Sequence, residues 1–264
     1  MDRASGELGR VTTMSRVDGG QQREVEVRGW LIELMPREHA PAHVRLAFHD
    51  AGTYDARSGT GGAHGTIRLR EELQRSSNSG WGHACLETIS EVKAIYADLS
   101  WADLIAVGGA AAVQKCGGPA IGLGLGRADL ETVAPPNRLP GGYEDAPLLK
   151  RTFARMGLGS RDLVALSGAH VLGHTQRQPF TNDPWRFSNA YFVQLMALTG
   201  NSILTTDSEL LRDPELRALV EVYAGDEARF FEDFALSFRR LTWLGNDSVT
   251  PRTDDAVAFA PSQS

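Results

Sequence analysis

Cysteine and long apolar runs are scarce in this chain, and each absence excludes a class of protein. Only two cysteines, Cys85 and Cys116, occur among 264 residues. This excludes the disulfide framework of small secreted domains and favours a reducing compartment. Since their spacing fits no zinc motif, we interpret both as small buried hydrophobic residues. No run of about 18 apolar residues is present, so the sequence predicts no membrane span.

Basic residues are also fewer than acidic ones. The chain carries 27 Lys and Arg against 33 Asp and Glu, a net charge of -6. A nucleic-acid-binding protein normally has a basic face, so this balance disfavours nucleic acid as a partner, and anionic membranes for the same reason. The first ten residues are polar and show no apolar core of a secretory signal. We therefore expect a globular intracellular protein, in the cytoplasm or the chloroplast.

Helical patterns dominate the chain from Val25 onward. Apolar spacing and end signals predict helices at about 40–51, 82–96, 100–117, 160–171, 188–199, 214–224 and 227–244. Ser100 is the predicted N-cap of the third helix, with Asp103 three residues later. Short strands are predicted near 121–125 and 203–206. The fold class is therefore mainly α, with two helical halves and a few very short strands.

Both ends of the chain are polar and aperiodic, which is typical of loose tails. We expect a flexible tail over residues 1–24 and another over 246–264. One domain is expected over 25–245, with its first half at about 25–145 and its second at about 146–245.

Arg45 and His49 are the first candidate site residues. Their i, i+4 spacing places them on one face of a helix. A guanidinium beside an imidazole disfavours the imidazolium form, which keeps the histidine neutral near pH 7. A neutral histidine next to a fixed cation can accept a proton and stabilise a developing negative charge, as cleavage of a peroxide O–O bond requires. The alternative is a chance pairing of a partly buried histidine with a surface arginine.

His170 is the second candidate and follows two small residues, Gly168 and Ala169. Small residues there allow close approach of a flat ligand or of another helix. Neutral imidazole binds iron well, and such ligands usually donate their other N–H to a carboxylate, for which Asp207 is the candidate. The alternative is a core histidine whose hydrogen bonds go to the backbone.

Three other signals are weak. His170 and His174 form an H-x-x-x-H pair, but the glutamate of a catalytic zinc motif is absent. The glycine-rich run at 122–126 lacks the features of a phosphate-binding loop. Asp50 and Asp55 fit no calcium loop, and we interpret them as solvated loop acids.

The chemistry-bearing motifs follow one order along the chain: Ala40–Thr53, Thr60–Arg68, Ser100–Ile105, Gly117–Pro119, Gly126–Asp129, Arg138–Pro140, Asp162–His170, Asp207–Pro214 and Tyr223–Phe234. Over about residues 27–245 this set resembles the plant, fungal and bacterial haem peroxidases, in their intracellular, ascorbate peroxidase-like class. The likeness is greatest to the ascorbate peroxidase-related proteins of plants and algae. The resemblance implies a haem peroxidase fold whose two helical halves sandwich one b-type haem.

The resemblance also implies a role for each matching residue. His49 resembles the distal acid–base histidine, and Arg45 the arginine that assists O–O cleavage. Asn78 resembles the asparagine that accepts the N–H of the distal histidine. His170 resembles the proximal iron ligand, and Asp207 the carboxylate hydrogen-bonded to it.

The haem contacts implied by the resemblance depart from the ascorbate peroxidase pattern. Phe48 stands where those enzymes have tryptophan, and Pro136 matches a further cofactor contact. Counting back from the motif at 187–191, the resemblance places Phe180 at the position of the proximal tryptophan, with Trp185 as the alternative. Phenylalanine on both sides leaves no oxidisable indole near the haem.

The proximal cation site of the resembling family is incomplete in this sequence. Val171 and Ser188 replace two of its ligands, whereas Thr181 and Asp183 remain. Arg186 is a candidate for an internal positive charge in its place. The resemblance therefore predicts that a K⁺ or Ca²⁺ ion binds weakly or not at all.

The function implied by the resemblance is reduction of hydrogen peroxide to water with one-electron oxidation of ascorbate or small phenols. A shorter loop after His170 removes the arginine that contacts ascorbate in the family. Arg177 is a candidate substitute, and Arg37 occupies the family's other ascorbate-contacting position. The alternative is a non-enzymatic haem-binding or structural relative. The electron donor and the oligomeric state stay open at this point.

Overall fold

Helices form most of the chain in the computed structural model, which describes residues 14–78, 80–175, 178–197 and 204–246. The helices are α1 (Met14–Leu34), α2 (Ala40–Ala51), α3 (Arg70–Leu73), α4 (Gly82–Ile95), α5 (Trp101–Lys115), α6 (Ala146–Met156), α7 (Ser160–Ser167), α8 (Ala190–Ala197), α9 (Thr205–Glu209), α10 (Pro214–Gly225) and α11 (Glu227–Thr242). Short 3-10 turns cover Arg37–His39, Thr66–Arg68 and Gly168–Val171. The mainly α fold class is confirmed.

The strands predicted from the sequence are wrong. Within the described ranges, β-structure is limited to two isolated bridges, Asp55–Thr60 and His174–Pro179. Residues 121–125 form a loop whose backbone N–H groups donate to the carboxylate of Glu24 instead of to a neighbouring strand. The other predicted strand, 203–206, overlaps the start of α9, and its first residue lies outside the described residues.

Helix α1 begins earlier than predicted, so the expected flexible tail is wrong for residues 14–24; residues 1–13 lie outside the described part of the chain. Glu24 is buried and accepts a hydrogen bond of 2.7 Å from the backbone N–H of Gly124. One turn later, Arg28 donates to a carbonyl of the same loop. These partners lie about 100 residues away in sequence, where local composition gives no sign of them.

At the other end, the expected tail at 246–264 mostly falls outside the described residues. Asn246 is described and is buried. Its side chain donates to the carbonyl of Ala63 (2.9 Å) and accepts from the N–H of Ala128 (3.0 Å). The described chain is therefore anchored up to this residue.

Two groups of helices surround the candidate site. In the first, α5 packs against α1, α2 and α4; in the second, α7 packs against α6, α10 and α11, and α8 packs against α10. Helix α11 also reaches α2, and Gly109 of α5 allows this close approach. A Cβ on Gly109 would lie 2.7 Å from Phe238 and 2.8 Å from Ala47. None of the described helices is long and apolar enough to span a bilayer.

An aromatic cluster in the second group holds the segment that carries His170. Its buried rings are Phe187, Phe192, Tyr223, Phe230, Phe234 and Phe238. A Cβ on Gly168 would lie 2.5 Å from the ring of Phe230 and 2.9 Å from that of Phe192. The sequence analysis gave two reasons for a small residue at this position, the approach of a flat ligand or of another helix. The structure shows the approach of neighbouring helices.

Two local predictions are confirmed. The Ser100 hydroxyl accepts a 3.0 Å hydrogen bond from the N–H of Asp103 and so caps α5. Cys85 and Cys116 are both buried. Burial raises the pKa of the Cys85 thiol to about 12, so this residue stays protonated and unreactive at neutral pH.

Candidate active site

The first half of the site lies on α2, whose i, i+4 repeat places Arg45 and His49 on one face. His49 is buried, and its Nδ1 lies 2.7 Å from Oδ1 of Asn78. The amide nitrogen of Asn78 donates to the carbonyl of Glu72 (2.9 Å), which leaves Oδ1 facing the imidazole. Nδ1 of His49 therefore carries the proton, and Nε2 is the basic nitrogen.

The imidazole of His49 is held neutral by its surroundings. Burial and, next, the positive charge of Arg45 lower the pKa of His49 to about 3, against a smaller opposing effect of the Asn78 hydrogen bond. Nε of Arg45 donates to Nε2 of His49 over 3.3 Å, and its terminal nitrogen donates to the carbonyl of Ser77. The pair therefore combines a proton acceptor with a fixed cation.

Trp81 completes this half of the site, and the sequence analysis missed it. Its ring centroid lies 4.8 Å from the guanidinium carbon of Arg45 and 5.3 Å from the ring centroid of His49. Its Nε1 donates to the carbonyl of Ser77. The sequence analysis expected no oxidisable indole near the haem, whereas the structure places this indole beside Arg45 and His49. The sequence signal that could have identified Trp81 was its position three residues after Asn78, at the start of α4.

The other first-half candidates lie at different depths. Phe48 is half-buried, with its ring centroid 6.2 Å from that of His49 and 6.4 Å from that of Phe153. Pro136 is exposed in the loop between α5 and α6. No described hydrogen bond or ring contact joins Pro136 to the other site residues.

The second half of the site centres on His170, on the 3-10 turn after α7. Its Nδ1 lies 2.8 Å from Oδ1 of Asp207, which is only 2% exposed. The hydroxyl of Tyr191 donates to the same oxygen over 2.8 Å, and the N–H of Leu204 donates to Oδ2. The ring of Phe180 stacks on His170 with the centroids 4.8 Å apart and the planes 3° from parallel.

The pKa of His170 is shifted in the opposite direction from the pKa of His49. Burial lowers the pKa of His170, but the charge and the hydrogen bond of Asp207 together raise it by a larger amount. The pKa of His170 therefore lies above its ordinary value. Asp207 thus holds the Nδ1–H proton of His170 in place. The two histidines are therefore suited to different tasks, one accepting a proton and the other acting as an electron-rich ligand.

Trp185 was the alternative to Phe180 as the residue beside His170. The structure places its ring 6.5 Å from that of His174, and Phe180 lies on His170 instead. His174 is exposed, and its Nδ1 hydrogen-bonds to the carbonyl of Thr175.

Of the two candidate substrate contacts, Arg37 and Arg177, the structure describes Arg37. Arg37 is exposed, and its guanidinium donates to the carbonyl of Trp185 over 3.1 Å. Arg177 lies outside the described residues. Of the residues considered for the cation site, the hydroxyl of Thr181 donates to the carbonyl of Val171 over 2.9 Å.

The carboxylates considered for calcium have backbone partners. Asp50 is buried and accepts the N–H groups of Gly65 (2.8 Å) and Ile67 (3.2 Å), so its interpretation as a solvated loop acid is wrong. Asp55 accepts the N–H of Arg57 in a turn. In the described ranges no group of three or more His, Cys, Asp or Glu side chains is arranged to hold a metal ion.

The donor set around His170 fits a haem. Nδ1 is committed to Asp207, whereas Nε2 makes no hydrogen bond within the described residues, and 36% of the side chain is accessible. An imidazole whose second nitrogen is held by a carboxylate is the usual arrangement of a haem-ligating histidine. The charge of Arg45 also lowers the pKa of His170 by a smaller effect, so Arg45 acts electrostatically on the second half of the site.

A comparison with protein families agrees with this geometry. The model of the family described as Peroxidase matches residues 25–226. The chain is a member of the haem peroxidase family. Membership of this family makes the protein an enzyme and implies a haem cofactor. Its mainly helical architecture agrees with the fold that the resemblance predicted.

Relatives of this haem peroxidase place it in the ascorbate peroxidase-like class. It is 43% identical over 239 residues to the peroxisomal L-ascorbate peroxidase 5 of Arabidopsis thaliana, covering 87% of this chain and 85% of the relative. It is 43% identical over 234 residues to L-ascorbate peroxidase 3 of the same plant, covering 84% and 81%. Identity to the cytosolic L-ascorbate peroxidase 1 of Oryza sativa subsp. japonica is 40% over 215 residues, covering 78% and 86%.

Proposed function

We propose that this haem peroxidase reduces hydrogen peroxide to water and takes electrons singly from ascorbate or a small phenol. The observation that carries the proposal is the pairing of a neutral, buried His49 with Arg45 on one side of the site and a carboxylate-held His170 on the other. The relatives are L-ascorbate peroxidases, which supports hydrogen peroxide and ascorbate as substrates.

Haem, when bound, supplies the iron that binds peroxide and accepts its oxidising equivalents. Nε2 of His170 is the atom of this chain that would hold the iron. Phe180 and Phe48 are the aromatic residues that would flank the group. The ring of Phe180 keeps His170 in a single orientation, because it is stacked parallel to the imidazole.

His49 and Arg45 divide the work of O–O cleavage. Nε2 of His49 accepts the proton of one peroxide oxygen and delivers it to the other, since Nδ1 is committed to Asn78. Arg45 stabilises the negative charge that develops on the departing oxygen, and its stacking on Trp81 fixes the guanidinium for this task. The departing oxygen leaves as water once it holds both protons.

The electron donor is tested by steady-state turnover with ascorbate and with a neutral phenol. Arg37 is exposed and cationic, so it would attract the ascorbate anion but not a neutral phenol. For Arg37→Ala we expect a higher KM for ascorbate and an unchanged KM for the phenol. Turnover with phenol alone would exclude ascorbate, and turnover with neither donor would favour a non-enzymatic relative.

We also propose an intracellular site of action. The relatives named above include a peroxisomal and a cytosolic enzyme. None of them supports the expectation of a chloroplast location. Imaging of a tagged full-length chain tests the proposal, and export from the cell would contradict it.

The rate of the peroxide reaction should be independent of pH between about 5 and 8, because only the neutral imidazole accepts a proton. The pKa of His49 is lowered to about 3, so the base form persists throughout this window. Stopped-flow measurement of the rate against pH tests this prediction. A rate that falls tenfold for each pH unit below about 6 would show instead that His49 has an ordinary pKa.

Replacing Asn78 with alanine should slow the peroxide reaction by about 10- to 100-fold, because loss of a supporting hydrogen bond frees the imidazole to reorient. Asn78→Asp keeps an acceptor for Nδ1 and should retain more activity. It also adds a negative charge that raises the pKa of His49, so its rate should begin to fall at a higher pH than in the wild type. Equal rates for wild type and Asn78→Ala would contradict this role.

A further inference from the structure

The carboxylate of Asp207 receives more hydrogen bonds than orientation of a histidine requires. Oδ1 accepts from Nδ1 of His170 and from the hydroxyl of Tyr191, both over 2.8 Å. Oδ2 accepts the N–H of Leu204 over 3.2 Å. No Lys or Arg within the described residues forms an ion pair with Asp207, so these hydrogen bonds compensate its buried charge.

Tyr191 is built into this arrangement. It is 5% exposed, its ring lies edge-on to that of His170 at 5.9 Å, and it packs against Phe192. A carboxylate oxygen can only accept a hydrogen bond, so the hydroxyl of Tyr191 is the donor to Oδ1 of Asp207.

We propose that Tyr191 is a positioning residue that limits how strongly Asp207 draws the Nδ1 proton of His170, and so sets the strength of His170 as an iron ligand. This rests on the proposed function, in which His170 holds the haem iron. Two donors on one oxygen share its electron density, so each bond is weaker than it would be alone. With Tyr191 in place, His170 has less imidazolate character than the Asp207 pair alone would give.

The chain offers a matched control in Tyr223. This tyrosine is fully buried, and its hydroxyl donates to Oδ2 of Asp233 over 2.9 Å. It packs against the same ring, Phe192, that Tyr191 contacts. Tyr223→Phe therefore removes the same atom from a tyrosine on the same ring, but the carboxylate that loses its donor does not contact His170.

The test compares haem-loaded wild type, Tyr191→Phe and Tyr223→Phe. The readouts are the Fe(III)/Fe(II) midpoint potential and the iron–histidine stretching band of the ferrous protein. Tyr191→Phe leaves Oδ1 of Asp207 to His170 alone, which strengthens that bond and favours Fe(III). We expect about a tenfold shift of the Fe(III)/Fe(II) equilibrium, a fall of about 59 mV for one electron, and a higher stretching frequency.

The midpoint potential and the band of Tyr223→Phe should match those of the wild type. A Tyr191→Phe variant with an unchanged or raised potential, or one that shifts no more than Tyr223→Phe, would overturn the role of Tyr191. An iron–histidine band that is missing from the wild type would overturn both this role and the proposed function. A band that is present while the potentials do not move would overturn the role of Tyr191 alone.

A second variant keeps the test decisive if Tyr191→Phe folds poorly. Site-specific Tyr191→3-fluorotyrosine keeps the shape and the hydrogen bond but makes the hydroxyl a stronger donor. Asp207 then draws less on His170, so the midpoint potential should rise, the opposite of the Tyr191→Phe result. A fall, or no change, would contradict the proposal.

Discussion

Replacing His49 with alanine should slow the reaction of the haem-loaded protein with hydrogen peroxide by about 10²- to 10⁴-fold, the usual contribution of a general base. His49 combines a basic Nε2, an enforced neutral state and contact with Arg45. Stopped-flow recording of the haem spectrum measures this rate directly. His49→Gln should be as slow, because an amide fills the space but cannot accept the proton.

The control for His49 is His83, an exposed histidine on α4. His83→Ala should react with peroxide at the wild-type rate. If His49→Ala lost less than tenfold in rate, His49 would not be the base. If His83→Ala were equally slow, the effect would not be specific to the site.

Replacing His170 with alanine should weaken haem binding by about 100-fold or more, because loss of a ligand costs at least as much as loss of its supporting partner. The Soret band of any haem still bound should shift, and added imidazole should restore part of the wild-type spectrum by filling the vacated space. Haem titration followed by absorbance measures both effects.

His174 is the matched control for His170, since it lies four residues later and is exposed. His174→Ala should bind haem like the wild type. Loss of haem from His174→Ala with retention by His170→Ala would contradict the assignment of the iron ligand. It would move the ligand to the second histidine of the H-x-x-x-H pair.

Local sequence patterns predicted much of the helical fold. Apolar spacing and end signals predicted the bounds of α2, Ala40–Ala51, and Ser100 was predicted as the N-cap of α5. The errors lie where long-range contacts override local signals. Glu24 draws α1 onto the loop at 121–125, which turns a predicted tail into helix and a predicted strand into loop.

In the candidate site as well, local patterns predicted some residues and missed others. Arg45 and His49 follow from spacing on one helix, whereas Asn78 lies 29 residues from His49 and was found only through the family resemblance. Trp81 and Tyr191 were missed, because each reaches the site through the packing of separate helices. Spacing finds partners on one helix, whereas Trp81 and Tyr191 became apparent only in the folded chain.

The most direct test of the central claim is the Soret spectrum of the haem-loaded wild type before and after one equivalent of hydrogen peroxide. We predict a Soret band, a rapid loss or shift of it on addition of peroxide, and a return to the starting spectrum only when an electron donor is added. A bound Soret band that does not respond to peroxide would contradict the roles of His49 and Arg45. If no Soret band formed on haem loading, the chain would be a structural relative without the peroxidase reaction.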